Sequence, residues 1–125
     1  MAETIGEAQM ATKNLTKADF EGLAEAQGIT LIDFWAEWCV PCHMFAPTFE
    51  KVSEKHPDIT FAKVDTEAEL ELAAELGISS IPTIMAIRDG VLVHRQSGAL
   101  PERLLESLVK AVRELDMDEV RAKAA

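Results

Sequence analysis

The chain has 125 residues, 48% hydrophobic and 27% charged, with 22 acidic against 12 basic side chains and a formal net charge of −10. That length suits one domain with a core of its own. The acidic balance argues against a nucleic-acid backbone or an anionic membrane surface as partner, since both need clustered Lys and Arg.

The opening stretch MAETIGEAQM has no basic region followed by an apolar one, so it does not read as a secretory signal. Residues 1–11 read as a loose polar tail, 12–115 as the domain and 116–125 as a C-terminal extension. A short strand is expected near Thr12–Leu15. Thr16 then suits the N-cap of a helix over Lys17–Gln27, with Phe20, Leu23 and Ala24 on one face and Gly28 as its stop. The almost unbroken apolar run ITLIDFWA predicts a central strand covered on both faces. A second helix follows over Val40–Lys55. Pro41 is harmless in its first turn, Pro47 should kink it and Pro57 closes it.

ITFAKVD predicts the next strand. Thr66 and Glu69 have capping-box spacing for a third helix over Glu67–Leu76, stopped by Gly77. Its Glu67, Glu69, Glu71 and Glu75 read as a solvated face. The runs PTIMAI and LVHRQS flank Asp-Gly, a hairpin signal. LGISSIPTIMAI, the least polar stretch, falls short of the roughly 18–20 apolar residues of a spanning helix. Pro101 starts a last helix to Leu115, with Leu104, Leu108, Val112 and Leu115 facing inward. Strands alternating with helices imply parallel pairing, and the hairpin adds an antiparallel edge. The expected fold is α/β, a mixed sheet with helices on both faces.

The two cysteines, Cys39 and Cys42, lie in DFWAEWCVPCHMF. C-x-x-C can be half of a zinc site, C-x-x-C-H can attach a c-type haem, and C-x-x-C in a βαβ pattern can be a redox dithiol. Zinc needs about four ligands, and no second Cys or His pair has suitable spacing. Haem attachment needs export, for which there is no signal. A strand end feeding a helix start instead puts Cys39 where free N–H groups and the positive end of the helix dipole stabilise a thiolate. Cys39 reads as the exposed nucleophile and Cys42 as the resolving thiol. In the cytoplasm, the expected location, thiols stay reduced and a lone pair reads as catalytic rather than structural.

DFWAEWCVPC closely resembles the active-site stretch of thioredoxins, usually W-C-G-P-C. The resemblance continues through FAPTFE, FAKVDTE, GISSIPT, DG and SGAL. It implies the thioredoxin fold and protein-disulfide reduction. It implies that Asp33 is buried below Cys42 and assists its proton transfers, with Lys63 nearby. It implies a cis-proline at Pro82 facing the dithiol, and a docking rim of Trp38, Val40, Pro41, Ile81, Pro82, Gly98 and Ala99. Trp35 matches a second family tryptophan packed near the site. The implied partners are disulfide-containing client proteins and a thioredoxin reductase, an NADPH-linked flavoenzyme. No bound cofactor or metal is called for, and a monomer is expected. Val40 replaces the usual glycine, and His43 stands where many thioredoxins carry Lys or Arg. The rival readings are a more oxidising oxidase or isomerase on the same fold, and a binding or co-chaperone module with incidental redox activity.

Overall fold

The computed structural model describes residues 11–124, so the expected N-terminal tail lies, except for Ala11, outside the described residues. The strands are β1 (Thr12–Asn14), β2 (Ile29–Trp35), β3 (Thr60–Asp65), β4 (Thr83–Arg88) and β5 (Val91–Ser97). The helices are α1 (Lys17–Gly22), α2 (Val40–Lys55), α3 (Leu70–Glu75), α4 (Glu102–Arg113) and α5 (Met117–Ala124). The sheet order is β1-β3-β2-β4-β5. β1 and β2 run parallel to β3, while β4 is antiparallel to both β2 and β5. The apolar run of β2 thus takes the central place expected of it. This is the mixed α/β sheet foreseen from the chain.

Side-chain alternation along β2 divides the core in two. Leu31 packs with Phe45, Phe49 and Val52 of α2 and with Leu105, Leu108, Val109 and Val112 of α4. Ile32 and Phe34 face the other way, toward Leu15, Leu72 and Met85, with Phe20 and Leu23 against them. Asp33 and Trp35 share the parity of Leu31 and so stand on the α2 side of the sheet.

Local signals placed most element ends. Thr16 Oγ1 accepts from the Asp19 N–H and the Asp19 carboxylate accepts from the Thr16 N–H, a complete capping box for α1. Asp89 (φ 51°) and Gly90 (φ 82°) make the tight β4–β5 turn. Such a turn needs left-handed backbone at both positions, which suits Asp-Gly. α2 runs unbroken through Pro47.

Three expectations about the helices need correction. The first helix ends at Gly22 and tightens into a 3-10 turn, Leu23–Glu25, leaving Ala24 exposed. α3 begins at Leu70 rather than Glu67, because the Thr66 hydroxyl donates to Trp35 O at 3.0 Å and caps nothing. Asp65 Oδ1 instead accepts from the Glu67 N–H at 2.9 Å and shapes a turn there. Glu67, Glu71 and Glu75 are exposed, as expected of a solvated face, and Glu69 is half-buried. Glu71 and Glu75 hold Lys17 Nζ, and Glu69 accepts from the Lys17 N–H at 3.0 Å. In α4 the inward face is Leu105, Leu108, Val109 and Val112, and Leu104 is exposed. Four-residue steps from 104 drift off the 3.6-residue period, whereas steps of three and four from 105 follow it. The segment after α4 forms the separate α5, with Met117 buried and Asp116 Oδ1 accepting from the Asp118 and Glu119 N–H groups.

Candidate active site

β2 ends at Trp35 and α2 begins at Val40, with four residues between them. Cys39 is the N-cap of α2, with extended backbone (φ −92°, ψ 105°), and its Sγ accepts from the Cys42 N–H at 3.2 Å. A sulfur in that position meets the free N–H groups and the positive end of a 16-residue helix. The two cysteines form a disulfide with Cα atoms 5.3 Å apart. Cys39 corrects the reading of it as exposed. It is only 3% accessible, because Ala36, Trp35 and Ile81 pack with the pair. Cys42 is equally buried at 2%.

The loop before β4 closes over this pair. The Ile81–Pro82 peptide is cis, and Ile81 O lies 3.7 Å from Cys39 Sγ. The Gly98 N–H donates to Pro82 O at 2.8 Å, and the Ser80 hydroxyl donates to Ser97 Oγ at 2.9 Å. The start of β4 and the end of β5 are therefore tied into one rim. Of the seven expected rim residues, Trp38, Val40, Pro41, Gly98 and Ala99 are exposed and Ile81 is half-buried. Pro82 is buried, so it bounds the rim from beneath instead of offering contact area.

Asp33 is fully buried, and neither carboxylate oxygen has a hydrogen-bond partner. Burial pushes its pKa up to about 7, and the charge of Lys63 opposes the rise. Lys63 is its register partner on β3, and Lys63 Nζ sits 5.0 Å from the centroid of the Trp35 ring. Trp35 Nε1 is also buried without a partner.

Three contacts carry no signal in the chain's local pattern. The Trp38 indole N–H reaches Glu67 Oε2 at 3.5 Å. His43 Nε2 lies 2.6 Å from the backbone oxygen of Glu37. The His43 ring stands edge-on to Trp35, with centroids 6.1 Å apart. Among the described residues, no group of three or more His, Cys, Asp or Glu side chains is gathered to hold a metal ion, and no helix is long and apolar enough to cross a membrane.

A family model described as Thioredoxin matches residues 11–111. The chain belongs to the thioredoxin family. It is 52% identical over 115 residues to a putative thioredoxin 2 of Streptomyces coelicolor, covering 92% of this chain and 86% of that protein. It is 39% identical over 98 residues to a thioredoxin of Alicyclobacillus acidocaldarius, covering 78% and 93%. Among solved structures, a thioredoxin of Malassezia sympodialis superposes with a TM-score of 0.72 at 30% identity, over 81% of this chain and 90% of that one. A thioredoxin of Plasmodium falciparum does so with a TM-score of 0.72 at 29% identity, over 80% and 97%. The chain is thus a thioredoxin-type dithiol oxidoreductase, a protein-disulfide reductase with a redox-active Cys39–Cys42 disulfide. Its partners are disulfide-containing client proteins and a reductase that restores the dithiol.

Proposed function

We propose that Cys39 is the attacking thiol and Cys42 the resolving one, with Asp33 as the proton acceptor for Cys42. The reading rests above all on Cys39 Sγ as the N-cap acceptor of α2, where a thiolate is favoured. The Cys39 thiolate attacks one sulfur of a client disulfide, and the first client thiolate leaves. The Cys42 thiol gives its proton to the Asp33 carboxylate, directly or through water, and attacks Cys39 Sγ. The second client thiolate leaves, so two electrons pass to the client and the Cys39–Cys42 disulfide forms. A group with a pKa of about 7 suits this exchange near neutral pH. Lys63 keeps that value from rising further.

In this reading the client lies across Trp38, Val40, Pro41, Ile81, Gly98 and Ala99, above Pro82. We assign regeneration to an NADPH-linked flavoenzyme thioredoxin reductase. The protein works as a monomer in the cytoplasm, the compartment in which thiols are kept reduced. Cys42→Ser tests the assignment of roles. It should trap a client on Cys39 as a stable mixed disulfide, visible by mass spectrometry. Trapping on Cys42 in a Cys39→Ser variant, and not on Cys39, would reverse the roles. Cell fractionation and size-exclusion chromatography check location and monomer state.

A further inference from the structure

We infer that His43 is a positioning residue for client docking: its ring clamps the Glu37–Trp38 peptide to the first turn of α2 and so fixes how Trp38 is presented. The inference rests on the reading that clients dock around Trp38 and Cys39. A carbonyl oxygen only accepts, so His43 Nε2 carries the hydrogen and donates to Glu37 O across 2.6 Å. The Glu37 carboxylate lies 3.7 Å from the same nitrogen. The ring also packs edge-on with Trp35. The backbone N–H of His43 donates to Cys39 O at 3.2 Å, so one residue holds the chain on both sides of Trp38.

Trp38 itself is 68% exposed, and among the described residues its one side-chain hydrogen bond is the 3.5 Å contact with Glu67. An exposed indole on a short loop is otherwise free to turn, and holding it before a client arrives lowers the ordering cost of docking. Among the described residues His43 makes no hydrogen bond to either sulfur; its bonds are to Glu37 and the Cys39 carbonyl. Its effect should therefore appear in client binding and not in the exchange chemistry. Lys or Arg, common here in the family, carries a longer and more flexible arm that does not present one ring nitrogen to Glu37 O.

The test compares wild type, His43→Ala and His43→Gln on two disulfides, insulin and the small aromatic disulfide dithiobis-nitrobenzoate. His43→Ala should raise KM for insulin about fivefold, the factor for one net hydrogen bond of about 1 kcal/mol. Its kcat, and its rate with the small disulfide, should stay within about twofold of wild type. His43→Gln keeps an N–H donor at similar reach and should restore KM. An unchanged KM in His43→Ala overturns the inference. So does an equal loss on both disulfides, which would place the ring's effect on the dithiol or the fold. Wild-type protein that reduces neither disulfide overturns the docking reading and the inference together, whereas failure of the inference alone leaves wild-type rates intact.

Discussion

Asp33 and Lys63 are register partners on β2 and β3, and they pull on one proton in opposite directions. Burial without a hydrogen-bond partner raises the carboxyl to about 7, and the ammonium restrains it. The unfolded chain has no such burial, and its aspartate titrates at the ordinary 3.8. The folded state therefore keeps a proton that the unfolded state has lost between those two values. Stability should fall as pH rises through that window and level off above about 7. Asp33→Asn removes the penalty. It should stabilise the protein by about 2–4 kcal/mol near pH 8 and by little near pH 4, measured by denaturant unfolding. A gain of equal size at both pH values would contradict the account.

Removing the ammonium shifts the same proton further. Lys63→Met should raise the Asp33 pKa above its wild-type value, because the opposing charge is lost while burial stays. Carboxyl carbon shifts followed by NMR titration would read it. A lower Asp33 pKa in the variant would show that Lys63 acts by some route other than its charge.

Two glycines should respond in opposite senses to alanine. Gly90 has φ 82°, and a Cβ there would press into the backbone oxygen of Ala24. Gly90→Ala should cost about 2 kcal/mol or more, from left-handed backbone strain and the clash together. Gly22 closes α1 with φ −68° and has open space around it. Gly22→Ala should stabilise by about 0.5–1 kcal/mol. Thermal melts of the two variants give the comparison.

Arg88 closes the end of α4. Its Nη1 donates to Val112 O at 2.8 Å, Arg113 O at 3.2 Å and Leu115 O at 2.8 Å. Val112 O also accepts from the Leu115 N–H at 3.4 Å, and helix ends commonly leave their last carbonyls short of backbone partners. Arg88→Met should cost about 1–3 kcal/mol in denaturant unfolding, since charged hydrogen bonds are lost together. Hydrogen exchange should quicken first at α5, which follows directly.

Element order was legible in the chain because it rests on local patterns. β2 is an apolar run, Asp-Gly demands a turn, and α2 has its Pro in the first turn. The start of α3 was not legible, since Thr66 and Glu69 have cap spacing yet the Thr66 hydroxyl goes to Trp35, 31 residues away. The inward face of α4 was misplaced because Leu104 and Leu105 both fit an apolar stripe, and only packing against α2 chooses between them. At the site, the cysteines and Asp33 stood out as residue types in unusual settings. The role of His43 in tying down the Glu37 backbone did not, because a side-chain bond to a backbone oxygen six residues away leaves no trace in composition or spacing.

The reduction potential of the Cys39–Cys42 pair tests the central claim most directly. The protein would be equilibrated in graded dithiol/disulfide buffers and its free thiols counted. Thioredoxins poise at about −270 mV, a family value and not a consequence of this geometry, and a value near it would bear out a reductase. A value above about −200 mV would contradict that account and assign the fold to oxidation or isomerisation of disulfides.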